Sequence, residues 1–238
     1  MTVDVVLLPR DLIPLQLTDR AVAVFDVLRA TTSITAALSV GVTEVRVFGT
    51  LDECLAAAAA FDGPKLTCGE RHTLPPPGFD LGNSPGQFTP DHAGRTVFMT
   101  TTNGTKAIVA ARAAPLVITA ALVNATAAAR VLAGAGRDVT LLCSGSDGAP
   151  SLEDTLGCGA VLHALQGLTD VSITGDLARI ALQLFAACRD RLPATLADTF
   201  GGHNIRRVKL DADIAFAARL DVFDVVGRVG DGPLRVTR

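Results

Sequence analysis

Asp26, Arg29, Thr31, Thr32 and Ser33 follow directly on an apolar run, AVAVF at 21–25. A short run of that kind reads as a strand buried on both faces. In an open α/β sheet, ligands gather beyond the carboxyl ends of the strands, where loops and helix N-termini converge. A carboxylate one residue past such a strand is therefore a candidate catalytic group or metal ligand. Three more strand exits carry polar residues. KLTC (65–68) leads to Glu70 and Arg71, and TVFMT (96–100) to Thr102, Asn103, Gly104, Thr105 and Lys106. DVTLLC (138–143) leads to Ser144, Gly145, Glu153 and Asp154. All four exits are expected along one edge of one sheet.

Each of these stretches has a structural reading beside the chemical one. TTNGTK precedes a helical pattern, where free amides and a positive dipole end favour a phosphate; equally, Thr or Asn there caps the helix while Gly104 supplies a turn. SLED (151–154) has the form of a capping box, yet its acids also suit magnesium, which takes one or two carboxylates plus waters and substrate phosphate. Asp26 either pairs with Arg29 or serves the chemistry, and its place at a strand end favours the second. No nucleotide-binding glycine pattern follows any strand, and the four histidines lack metal-ligand spacing, His163 falling mid-helix. Cys143 precedes a loop without the arginine that a cysteine phosphatase needs, so it reads as a buried structural thiol. Arg206 and Arg207 either reach the site or line a solvated face.

The elements that would position these groups alternate. Strands are predicted at 3–8, 21–25, 44–48, 65–68, 96–100, 116–120 and 138–143, with helices near 31–40, 51–61, 104–113, 124–134, 151–166, 176–190 and 211–219. A last strand at 221–229 and a short basic tail follow. The alternation predicts a three-layer α/β/α fold with a largely parallel or mixed sheet, as a single compact domain over 1–238. Segment 69–95, rich in Pro and Gly, is predicted to be a long functional loop. With 21 basic and 24 acidic residues, no basic run, and aromatics that are all Phe, nucleic acid is not an expected partner. The N-terminus lacks a signal-peptide pattern and no run approaches 18 apolar residues, so no membrane partner and a cytoplasmic location are expected. Five scattered cysteines read as reduced thiols. A homodimer is expected on general grounds, two-fold assemblies being commonest.

Taken together, DVLRATTSITAAL (26–38), CGER (68–71), GFDLGNSP (78–85), TTNGTKAI (101–108), CSGSDGAPSLED (143–154) and GHNIRRVKLDADIAFAARLDVFDVV (202–226) resemble the 2-phosphosulfolactate phosphatases, the ComB-like proteins of coenzyme M biosynthesis. The resemblance covers nearly the whole chain. It implies a Mg2+-dependent hydrolysis of 2-phospho-3-sulfolactate, or a related small anionic phosphate ester, to 3-sulfolactate and phosphate. In that light Asp26, Arg29 and Glu70 are the catalytic candidates, and Asp26, Glu153 and Asp154 the metal candidates. Thr31, Thr32, Arg71, Asn83, Thr102, Asn103, Gly104, Thr105, Lys106, Ser144 and Gly145 are the substrate-binding candidates. Asp26 is either a nucleophile or a magnesium ligand. The haloacid dehalogenase pattern is not met, because Leu28 stands where its second acid belongs. A phospho-metabolite sensor without turnover, and an isomerase or lyase using the same cradle, are the rival classes.

Overall fold

The computed structural model describes residues 1–230 and 232–238. In chain order the elements are β1 (Thr2–Val6), β2 (Arg20–Phe25), α1 (Ala30–Ser39), β3 (Glu44–Val47), α2 (Leu51–Ala59), β4 (Lys65–Gly69), β5 (Thr96–Thr100), α3 (Gly104–Ala111) and β6 (Leu116–Ala120). They continue as α4 (Ala125–Gly134), β7 (Asp138–Cys143), α5 (Leu152–Gln166), β8 (Ser172–Ile173), α6 (Asp176–Cys188), α7 (Leu192–Ala197), α8 (Phe200–Arg207), α9 (Asp211–Ala217), β9 (Gly227–Gly230) and β10 (Arg235–Thr237). The α/β class and the mixed sheet are as expected.

All ten strands share one sheet in the order β4-β5-β3-β10-β9-β6-β2-β7-β1-β8. Strands β6, β2, β7, β1 and β8 form one parallel block, and β4, β5 and β3 another. Between them β9 and β10 pair antiparallel with each other, with β6 and with β3. Three successive antiparallel pairings leave the two blocks running in opposite senses. The expectation of one shared edge is thereby corrected: the exits of β2 and β7 belong to one block and those of β4 and β5 to the other. They meet because the sheet curls around α1 and α3.

The core shows how. Along β2 the side chains alternate, Ala21, Ala23 and Phe25 entering a core with α4, α5 and α6, Val22 and Val24 entering a second core. That second core joins both blocks, since Val45, Val97 and Met99 meet Ile34 and Leu38 of α1 and Ile108 of α3. Each such fully buried side chain contributes about 1.5–3 kcal/mol. On the far side of β5, Phe98 packs on Cys54 and Ala58 of α2. Helix α1 is buried along nearly its whole length despite its Thr and Ser residues. Its hydroxyls find backbone carbonyls, Thr32 donating to Val27 O at 2.8 Å, Thr35 to Thr31 O at 2.8 Å and Ser33 to Asn83 O at 2.9 Å.

Most element boundaries lie within two or three residues of expectation. The C-terminus differs. The strand expected at 221–229 starts only at Gly227, because Asp221 and Phe223 instead donate to Leu122 O and Val123 O. The basic tail is the strand β10, whose buried Val236 sits at the sheet's centre. Segment 69–95 is irregular as expected, with two short 3-10 turns at Pro85–Gln87 and Pro90–His92. Removing residues 232–238 strips the partner from β3 and β9 in mid-sheet and opens the shared core. Loss of soluble protein and of a cooperative thermal transition is expected; a truncated chain that melts within a few degrees of the full chain would refute this central role.

Candidate active site

A cavity of about 650 Å³ opens where the two blocks' strand exits meet. Asp26, Arg29, Glu70, Arg71, Asn83, Thr102, Asn103 and Lys106 all line it. Asp26 is held by its own loop: its N–H donates to Thr31 Oγ1 at 3.0 Å, while its carbonyl accepts from the Thr31 N–H at 3.0 Å and from the Thr31 hydroxyl at 2.9 Å. Ala30 N donates to Asp26 Oδ1 at 3.1 Å. Oδ2 faces the start of α3 so closely that a β-carbon at Gly104 would stand 2.6 Å from it and 2.6 Å from the Ala30 β-carbon. Position 104 therefore has to be glycine for β5's exit to close on β2's exit.

The TTNG turn meets that carboxylate at the start of α3. The Asn103 side chain does not cap α3; Thr101 Oγ1 accepts from Thr105 N instead, at 3.2 Å. Among the described residues, the amides of Asn103 and Gly104 have no protein acceptor, so both remain for a ligand. The Thr102 amide is taken by Glu70, at 2.7 Å, and Glu70 also accepts from Thr73 N at 3.1 Å. Glu70 thus fixes the turn to loop 69–95.

Burial pushes the Asp26 carboxyl up to about 6; the Ala30 N–H opposes the rise, Glu70 and Glu153 add to it, and Arg29 offsets part. Glu153 is raised by its own burial, against hydrogen bonds from its backbone, Thr199 and Ser151. Asp154 is raised by burial and by Asp26 and Glu153, although Val27 N and Ser144 Oγ donate to it. These acids lie close together, and of the four only Asp26 and Glu70 line the cavity. Arg29, Arg71, Lys106 and Arg207 face it from elsewhere on the lining.

Several expected residues stand apart from the cavity. Thr31 and Thr32 are wholly buried, and their hydroxyls donate to the carbonyls of Asp26 and Val27. Thr105 is likewise buried, its hydroxyl donating to Thr101 O at 2.9 Å. These three corrections share one cause: the hydroxyls satisfy backbone carbonyls that the packed core leaves without water. Asp154 lies off the cavity lining. It accepts from Val27 N at 2.8 Å, Ser144 Oγ at 3.0 Å and Gly145 N at 3.1 Å, so it pins the β2 exit to the β7 exit. Ser144 and Gly145 are spent on that pin and do not line the cavity. Glu153 lies beneath Gly201, where a β-carbon would strike its carboxylate, and that glycine rather than the acid faces the cavity.

Other lining residues escaped the sequence reading: Thr73, Ser146, Asp147, Phe200, Gly201 and Asn204. Helix α8, which brings the last three and Arg207, was not predicted at all. Its start, Thr199, does carry a usable signal, a side chain that caps the Gly202 amide at 2.9 Å. The doubt over the arginine pair resolves by geometry, since Arg207 lines the cavity while Arg206 approaches Asp211 at 3.5 Å. His72 also lines the cavity, whereas the His163 ring packs tilted against Phe185, centroids 5.7 Å apart. Among the described residues, no helix is long and apolar enough to cross a membrane.

The four strand exits have counterparts in known proteins. A protein from Synechococcus sp. (strain JA-3-3Ab), named "Probable 2-phosphosulfolactate phosphatase", is 43% identical over 211 residues, 87% of this chain and 86% of its own length. One of the same name from Synechococcus sp. (strain CC9605) is 43% identical over 235 residues, 96% and 95% of the two chains. Another, from Caldanaerobacter subterraneus subsp. tengcongensis, is 33% identical over 224 residues, 93% and 92% of the two. The family profile described as 2-phosphosulpholactate phosphatase matches residues 7–232, which takes in every strand exit around the cavity and α8 and α9 beside it. With relatives of this identity aligned over nearly its full length, the chain belongs to the 2-phosphosulpholactate phosphatase family.

Proposed function

We propose that the protein is a phosphoric monoester hydrolase that converts 2-phospho-3-sulfolactate and water to 3-sulfolactate and inorganic phosphate. The observation that carries this reading is one cavity holding a buried, proton-hungry carboxylate, Asp26, against a helix start with two open amides, with four cationic side chains around it. The substrate bears a phosphate, a carboxylate and a sulfonate, and forked arginine contacts suit all three. The phosphoryl oxygens sit on the Asn103 and Gly104 amides, where the α3 dipole and Lys106 favour negative charge. A group that titrates near 6 is well matched to accept a proton from attacking water near neutrality. Asp26 takes that proton as the water oxygen bonds to phosphorus and the P–O ester bond breaks; the departing oxygen takes a proton from solvent to become the hydroxyl of 3-sulfolactate, and Asp26 gives its own back to solvent. Most of the acceleration comes from fixed donors and charges around the phosphoryl group.

A sensor without turnover would need the cradle and the cations but would gain nothing from burying Asp26 among other acids, and hydrolysis is the better reading for that reason. Five buried free cysteines accord with a cytoplasmic setting.

Magnesium fits a sparse site here. Asn83 is almost fully buried and lines the cavity, and its Oδ1 has no hydrogen-bond partner. Asn83 would supply an oxygen to the ion, while Asp26 serves as the proton acceptor. Among the described residues no three His, Cys, Asp or Glu side chains form a metal cluster, so waters and substrate oxygens fill the remaining positions. When bound, the ion supplies positive charge against the phosphoryl oxygens.

Phosphate release from 2-phosphosulfolactate is expected with magnesium, to fall at least about 100-fold with chelator, and to be lost in Asp26→Asn. Saturable binding without release would favour the sensor, and wild-type rates in Asp26→Asn would remove Asp26 from the chemistry. The same residue predicts a stability signature in chelator. Its carboxyl titrates near 3.8 unfolded and about 6 folded, so the folded state holds the proton more tightly. Stability tied to that proton is present below pH 4 and lost as pH rises to 6, by at most about 3 kcal/mol. Asp26→Asn should flatten this slope and be the more stable protein at pH 7, by urea unfolding. An unchanged slope in the variant would assign the titration elsewhere.

A further inference from the structure

Arg29 is nearly wholly buried, yet it lines the cavity. A buried guanidinium without a counter-charge is costly, and its partner comes from far along the chain. Nη1 donates to Asp213 Oδ2 of α9 at 2.6 Å and to Ser84 Oγ at 3.2 Å, while Nη2 donates to Thr73 O at 2.6 Å. Ser84 Oγ in turn donates to the same Asp213 oxygen at 2.8 Å. Asp213 does not line the cavity. The guanidinium is planar with five N–H donors in fixed directions, so partners on both terminal nitrogens fix its plane. The Nε–H has no protein acceptor among the described residues.

We propose that Asp213, seconded by Ser84, is a positioning residue that orients the Arg29 guanidinium so that its remaining donors meet the substrate's anionic group. This rests on the reading that Arg29 binds the ester. Asp213 neutralises the arginine's burial without occupying the cavity, and Thr73 and Ser84 tie the same group to loop 69–95. A phosphate or sulfonate arriving at the cavity then meets donors already aimed.

The test is a double-mutant cycle on the full chain with Arg29→Met, Asp213→Asn and the pair together, reading kcat, KM and the dissociation constant of inorganic phosphate by calorimetry. Asp213→Asn is expected to raise KM and the phosphate dissociation constant about tenfold or more, with a smaller effect on kcat. In the Arg29→Met background it should change neither further. Independent, multiplying effects would overturn the proposal, as would wild-type KM and phosphate binding in an Asp213→Asn protein whose melting temperature has dropped. Should Asp213→Asn not fold, Ser84→Ala reads the same contact. A severalfold rise in both constants at near-native melting temperature supports the proposal, and unchanged constants overturn it. If no ester is hydrolysed at all, the phosphate-binding cycle still reports the Arg29–Asp213 coupling, so failure of the hydrolase reading is told apart from failure of this one.

Discussion

The architecture of the site depends on one buried carboxylate that lies off the cavity lining. Asp154 accepts from Val27 N, Ser144 Oγ and Gly145 N, binding the loop after β2 to the loop after β7 at the first turn of α5. Val27 follows Asp26 directly, so this pin sets where the Asp26 carboxylate can lie. Removing a buried acceptor of several donors leaves each of them unsatisfied, at about 1–3 kcal/mol apiece. Ser151, the N-cap of α5, orients Asp154 in turn by accepting its amide at 3.4 Å. The capping form and the acid in SLED are therefore parts of one device, whose product is the position of the neighbouring loop.

That device creates an electrostatic problem which the cavity resolves. Burial raises the proton affinity of Asp26, Glu153 and Asp154, and the charge of Glu153 adds to the rise at both aspartates, as does that of Asp26 at Asp154, a cost to the folded state of the kind that active sites commonly carry. The cations face the same space from other elements: Arg29 from the β2 exit, Arg71 from loop 69–95, Lys106 from α3 and Arg207 from α8. No element carries both a crowded acid and enough cations to balance it, Arg29 excepted, and Arg29 is itself neutralised by Asp213. An anionic phosphate ester meets those cations in the cavity.

Much of this was legible in the sequence, for identifiable reasons. Strands such as Thr96–Thr100 and Asp138–Cys143 are short, apolar and bounded by turn residues, so periodicity found them, and with them Asp26, Glu70 and the TTNG turn. The hydroxyls misled. Thr31, Thr32 and Thr105 look like ligand-binding groups in one dimension, but the burial of α1 and the start of α3 on every side turns them into donors for backbone carbonyls. Helix α8 was missed because FGGHNIRR offers two glycines and few apolar residues to a periodicity search. Asp213 was missed because its partner lies 184 residues away, a separation that no local pattern encodes. The tail read only as basic because its arginines flank the single buried Val236 of a three-residue strand.

The order of the chain adds a final constraint. The sheet's two blocks are joined by β9 and β10, the last strands in the sequence, and Arg29 obtains its counter-charge from α9, just before them. Without those elements the N-terminal segments still contain the strand exits, but the β2 exit has no reason to face the β5 exit, because the blocks run in opposite senses and would lie apart in a flat sheet. Long-range pairings of this kind cost loop-closure entropy before they return any contact energy. The cavity is thus a property of the completed chain. Asp26 is brought against the TTNG turn of the other block only when the C-terminal strands join the two blocks over α1 and α3.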